Sequence, residues 1–138
     1  MELVGYYRII FICDCFSFYN NFLIFQEGLK LTKKMTGGEA IVHSVLANGV
    51  DTIFGLPGAQ TYPIFDAIYQ SADIKEIISR HEQGAGYMAF GYAYATGKPG
   101  VFSVVPGPGI LNAGAALSTA DATNTPILCL TGQVMSEF

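Results

Sequence analysis

The 138-residue chain contains no tryptophan, three cysteines, two histidines and seven basic residues, and charged side chains make up 13% of it. Ordinary soluble domains carry ~25% charged residues. Each scarcity excludes something. Seven Lys plus Arg against eleven Asp plus Glu leave a net charge of -4, so nothing favours the phosphate backbone of a nucleic acid or an anionic membrane surface. Cys13, Cys15 and Cys129 are odd in number and form no CxxC pair, and His43 and His81 are too few to complete a cluster. No metal site and no disulfide framework is expected, and a reducing, cytoplasmic setting fits. The one long apolar stretch, Tyr6 to Phe25, is broken by Arg8, Asp14, Asn20 and Asn21, which makes it a poor transmembrane helix. A start of Met1-Glu2 followed by bulky aromatics does not read as a secretory leader. So few charges on a small chain imply that a partner subunit, or another part of the same polypeptide, covers some of its surface.

What is present is apolar and glycine-rich: 51% hydrophobic residues and 16 glycines, enough for the core of one domain. Residues 1–34 hold no helical or alternating period and read as an N-terminal extension, or as a leader element packed on the domain. From Met35 the pattern becomes orderly and marks a domain over residues 35–138. Thr36-Gly-Gly-Glu39 is a capping box and opens a helix with Ala40, Ile41, Val45 and Leu46 on its apolar face, stopped at Gly49. Strands are expected at Val50–Phe54, Glu76–Ser79, Val101–Val105 and Pro126–Leu130. Helices are expected at Tyr62–Ser71, Gln83–Thr96 and Ile110–Ala122. Strands that are apolar without alternation are covered on both faces. The fold class is therefore α/β: a doubly wound, mostly parallel sheet with helices on both faces. No helix follows the last strand before Phe138, so the sheet reads as C-terminally incomplete.

Open α/β sheets place their sites beyond the carboxyl ends of the strands. Four turns lie there: Gly55-Leu-Pro-Gly58, Arg80-His-Glu-Gln-Gly84, Pro106-Gly-Pro-Gly109 and Thr131-Gly-Gln133. Glu82 is the residue of most interest, because Lys98 is its only charged neighbour between His81 and Ala120. Two readings are open. A lone carboxylate amid Gly, Ala and aromatics is partly desolvated, hence protonated and suited to bond a ligand nitrogen; or it is a solvated helix-start residue held by the macrodipole. The Gly107-Pro-Gly109 turn is no dinucleotide fingerprint, since Asn112 stands at the third glycine position, and no Gly-Lys-Ser/Thr makes a P-loop. Gly84, Gly86, Ala89, Ala93 and Ala95 give one helix a small-sided surface suited to close helix packing. His43 and His81 read as packing or surface residues.

In order and content these segments resemble the N-terminal pyrimidine-binding (PYR) domain of thiamine diphosphate enzymes of the acetolactate synthase and pyruvate oxidase type. The resemblance is carried by Phe54-Gly-Leu-Pro-Gly58, Arg80-His-Glu-Gln-Gly-Ala85, Gly91-Tyr-Ala93, Ala95-Thr-Gly-Lys-Pro-Gly100, Gly107-Pro-Gly109 with Asn112, and Pro126-Ile-Leu-Cys-Leu-Thr-Gly-Gln-Val134. It implies that Glu82 is catalytic and hydrogen-bonds the aminopyrimidine ring of thiamine diphosphate, promoting the tautomer that deprotonates the thiazolium carbon. It also implies that Pro57, Pro108 and Asn112 line the cofactor's pyrimidine end and that Gln133 reaches toward the reacting substrate. The activity implied is that of a 2-keto acid carboligase or decarboxylase. Mg²⁺ and the diphosphate would be held by a separate domain with a Gly-Asp-Gly…Asn pattern that these residues lack, and FAD is used by some relatives. Such a chain would be half a site, inactive alone and completed by a homodimer or tetramer. The alternatives are a split enzyme, with a separate diphosphate-domain chain, and a non-catalytic association remnant. Pro106 departs from the family, which usually has Ser or Thr before the Gly-Pro-Gly turn.

Overall fold

Thr36 caps the first helix as the capping box requires. In the computed structural model, which describes residues 8–11 and 35–134, its hydroxyl accepts from the Glu39 N–H at 3.2 Å, and Glu39 Oε2 accepts from the Thr36 N–H at 2.6 Å. Helix α1, Gly37–Ala47, then buries Gly38, Val42 and Val45, with Ile41 and Leu46 of the expected stripe partly buried against the same core. Gly38 packs directly on backbone: a Cβ there would lie 2.0 Å from the Pro63 carbonyl oxygen. The helix stops at Gly49 as expected, with φ +76°. The Gly49 N–H returns to Leu46 and the Val50 N–H to Val45, a Schellman pair that uses up the Val50 donor. Strand β2 consequently begins later than its apolar run suggests, at Thr52–Gly55.

The remaining elements alternate as expected, with ends shifted by at most two residues. They are α2 (Tyr62–Tyr69), β3 (Lys75–Ile78), α3 (Glu82–Thr96), β4 (Gly100–Val104), α4 (Pro108–Ala122) and β5 (Ile127–Thr131). Helix α3 ends on Gly97 at φ +70°. Helix α4 ends on a device the sequence did not advertise: Asn124, at φ +50°, takes the left-handed position, and Thr125 and Asn124 N–H groups return to Ala120 and Asp121. Asparagine tolerates that conformation better than most side chains.

Strands β2, β3, β4 and β5 pair in parallel in the order β5-β4-β2-β3. Residues Arg8–Phe11 form β1, antiparallel to β5 and at the sheet's edge. This strand lies in the segment where no side-chain period was found; main-chain pairing does not need one. The remainder of the Tyr6–Phe25 stretch, Cys13 and Cys15 lie outside the described residues. Among the described residues no helix is long and apolar enough to cross a membrane.

Two apolar layers hold the sheet. Val42, Ile53, Ile64, Ile68, Val101 and Leu130 pack between the sheet and α1/α2. Phe54, Ala85, Ala89, Phe102, Ala113 and Leu117 pack between it and α3/α4. Strand β4 is buried throughout, as a central strand covered on both faces should be. Strand β3 is not, and here the expectation of two covered faces fails: Lys75 and Ile78 are exposed because β3 is an edge strand.

Small residues set the layer spacing on the α3/α4 side. A Cβ on Gly86 would lie 2.7 Å from the Ala116 Cβ, and one on Gly100 would lie 2.0 Å from the Ala89 carbonyl oxygen. The small-sided helix therefore packs within the domain, on α4 and β4. Gly84 and Gly91 lie on its exposed face.

Candidate functional site

Parallel strands deliver their following turns to one edge of the sheet, and the four glycine-bearing turns meet there. A Cβ on Gly58 would lie 2.3 Å from Val105 Cγ1, and one on Gly132 would lie 2.1 Å from the Gln60 carbonyl oxygen. Ser79, buried at the end of β3, sends its N–H to the Gly55 carbonyl at 2.8 Å. Its hydroxyl lies within donor reach of the carbonyls of Gly55 (3.2 Å) and His81 (2.9 Å). The turns thus lie against one another along one rim.

Glu82 stands on that rim as the first residue of α3. His81 caps the helix: its backbone is extended at φ -157°, and its Nδ1 accepts from the Gln83 N–H at 3.1 Å. The imidazole is therefore a structural cap at the surface. Asn112, one turn into α4, donates from Nδ2 to Glu82 Oε2 at 3.0 Å. Two residues thirty positions apart are joined because Gly86 lets α3 and α4 come close.

The electrostatics correct one of the two readings of Glu82. Its carboxyl is held below the ordinary carboxylate range, first by the Asn112 amide, then by a backbone N–H, with a smaller contribution from His81; burial opposes these and is outweighed. A half-exposed side chain with a donor aimed at it stays ionised, so the desolvated, protonated carboxyl expected from its apolar neighbours is not what this chain presents. Ala85, Gly86, Ala89 and Ala93 face the core instead.

The other candidate residues occupy the same edge without bonding to Glu82. Pro57 is exposed in the β2–α2 turn, Pro108 is exposed as the first residue of α4, and Gln133 is exposed just past β5. Gly107, before Pro108, has φ +66° and nothing within 4 Å of its Cβ direction, leaving bare backbone at the helix start. Pro106 is half-buried beside it. Two residues that the sequence did not single out help to build the rim, Ser79 and Thr61, whose hydroxyl bonds Gly58, and His81, expected only as a packing or surface residue, is a cap. For Thr61, its place two residues before Pro63 was the visible hint.

Chemistry elsewhere in the described residues is sparse. No group of three or more His, Cys, Asp and Glu is placed to hold a metal ion. Cys129 is buried, and burial pushes its thiol up to about 12, so it is inert. Asp51, bonded by Thr52 (2.9 Å), Tyr92 (3.2 Å) and Lys98 (3.7 Å), precedes β2 and so sits at the opposite end of the sheet.

Residues 35–138 match the family described as thiamine pyrophosphate enzyme, N-terminal TPP binding domain. The chain is 43% identical over 102 residues to the acetolactate synthase isozyme 1 large subunit of Escherichia coli (strain K12), a match covering 74% of this chain and 18% of that protein. It is 41% identical over 102 residues to acetolactate synthase of Mycobacterium avium, covering 74% and 16% respectively. With the mitochondrial acetolactate synthase catalytic subunit of Aspergillus candidus it shares 50% identity over 99 residues, covering 72% and 14%. The matches thus span less than a fifth of the length of these curated relatives.

Proposed function

Given that this chain belongs to the thiamine pyrophosphate enzymes, as the TPP-binding N-terminal domain of the acetolactate synthase-like kind, we propose that its turn edge is the pyrimidine-facing half of a thiamine diphosphate site. The observation that carries this reading is the Asn112–Glu82 bond at 3.0 Å, which presents one braced, ionised carboxylate at the carboxyl edge of a parallel sheet.

The residues present suit such a group. An aminopyrimidine offers ring nitrogens and an exocyclic amine, which an anchored carboxylate can hold and share a proton with. Glu82 supplies that carboxylate. Asn112 donates to one of its oxygens, Oε2, and so braces the group. Gly107 gives bare backbone for close approach, and Pro57 and Pro108 give rigid apolar walls that cost no side-chain entropy. When bound, thiamine diphosphate supplies an acidic thiazolium carbon that adds to a 2-keto acid carbonyl and accepts the electrons released with carbon dioxide.

Within this chain, Glu82 performs the proton work. Free, it is ionised; covered by a ligand and by the surface that closes the site, it loses water, and its carboxyl moves up toward a value at which it can share a proton with a ring nitrogen. Gln133, uncharged and exposed on the rim, is placed to hydrogen-bond the substrate's carboxylate or carbonyl. The diphosphate and Mg²⁺ belong to a second domain, of the same polypeptide in a homo-oligomer or of a separate chain, and the described residues alone are not catalytic. The reaction proposed for the completed enzyme is an acetolactate synthase-like carboligation or decarboxylation of a 2-keto acid.

Calorimetric titration of the 138-residue chain with thiamine and, separately, with thiamine diphosphate plus Mg²⁺ tests this. Both ligands should bind weakly and with similar affinity, because the diphosphate contributes nothing without its own domain, and Glu82→Gln should reduce both by tenfold or more. Undiminished binding by that variant would remove Glu82 from the site.

A further inference from the structure

Thr61 is fully buried and sits at the entrance to α2, where a threonine hydroxyl ordinarily caps the helix by accepting from the second or third helical N–H. Here it does not cap. The second helical residue is Pro63, which has no N–H, and the third, Ile64, donates to the Thr61 carbonyl at 3.0 Å. The hydroxyl is released from the helix and turns back onto Gly58, accepting from its N–H and donating to its carbonyl, both at 3.1 Å. The Thr61 N–H adds a third bond to that carbonyl at 2.8 Å.

One buried side chain thus closes the 58–61 turn upon itself. That turn is wedged on two sides: Gly58 lies against Val105, and the Gln60 carbonyl occupies the space a side chain at Gly132 would need. Pro57 immediately precedes the closed turn and Gln133 immediately follows Gly132. A change in the turn's shape is therefore transmitted to both, whereas Glu82 and Asn112 are held separately by α3 and α4.

We infer that Thr61 is a positioning residue, whose hydroxyl fixes the Pro57 and Gln133 arms of the rim relative to the independently braced Glu82–Asn112 arm. This rests on the thiamine diphosphate reading for the identity of the ligand only. The test is a titration of the ¹⁵N-labelled 138-residue chain with thiamine diphosphate plus Mg²⁺, comparing wild type, Thr61→Ser, Thr61→Val and Glu82→Gln. Thr61→Ser keeps the hydroxyl and should bind as wild type. Thr61→Val keeps the shape, loses the hydroxyl, and should bind at least tenfold more weakly, with displaced Gly132 and Gln133 amide signals but an unchanged Glu82 carboxyl titration. Wild-type affinity in Thr61→Val, failure of serine to rescue, or a moved Glu82 titration overturns the positioning role. Undiminished binding by Glu82→Gln overturns the ligand reading alone and leaves the Thr61 comparison standing. If wild type binds nothing, the ligand reading falls and amide exchange decides: Gly58 exchanging at least tenfold faster in Thr61→Val with Gln133 displaced supports the role, and an unmoved Gln133 refutes it.

Discussion

Glycine to alanine inside a helix normally stabilises a protein, by roughly 0.5–1 kcal/mol, because alanine loses less backbone freedom on folding. Helix α3 offers the same substitution in two environments. At Gly91, exposed and with nothing within 4 Å of the added Cβ, the full gain of ~0.5–1 kcal/mol is expected. At Gly86 the added Cβ would lie 2.7 Å from the Ala116 Cβ, whereas carbon atoms pack at ~3.5–4.0 Å. The helices must then separate by about 1 Å, and overpacking of this kind costs ~1–3 kcal/mol. Offset by the propensity gain, Gly86→Ala should range from neutral to destabilising by ~2.5 kcal/mol. The same separation pulls Asn112 away from Glu82, so the Glu82 carboxyl should titrate higher in Gly86→Ala than in Gly91→Ala. Urea unfolding of the two variants, read as a change in midpoint at constant slope, gives the energies, and carbon-detected NMR gives the titration. If Gly86→Ala stabilises as much as Gly91→Ala, the close approach of α3 and α4 is not what sets the geometry of the rim.

Two further outcomes follow from single atoms. Asn112→Ala removes the main cause of the depressed Glu82 carboxyl, so its titration should rise toward the ordinary carboxylate value. Because a depressed folded value contributes stability that is present above the unfolded value and lost as pH falls through the folded one, the variant should lose less stability on acidification below the ordinary carboxylate range. An unchanged Glu82 titration by NMR would refute the pairing. Ser103, in central strand β4, is fully buried and its Oγ has no hydrogen-bond partner among the described residues. Since an unsatisfied buried hydroxyl costs ~1–3 kcal/mol, Ser103→Ala should be neutral or stabilising by ~1 kcal/mol, and a loss of stability in the same urea assay would show that the hydroxyl has a partner.

The alternation of helix and strand was legible in the sequence because it is written in local chemistry. Thr36 and Glu39 cap a helix, Gly49 and Gly97 end helices through positive φ, and Val101, Phe102 and Val104 are apolar without period because both faces of β4 are covered. Strand β1, with no period of its own, and the exposed face of β3 were not legible, since pairing order is decided by the whole sheet. At the site the same division holds. The residue types at positions 57, 82, 108, 112 and 133 and their place after strands could be read in advance. Which of the two readings of Glu82 holds could not, because the donor that favours the ionised one is Asn112, thirty residues away on another helix. Sequence fixes which groups exist and which local conformations they favour; the spacing of α3 and α4, set where Gly86 meets Ala116, decides which of them touch, and the proton on a carboxylate follows from what it touches.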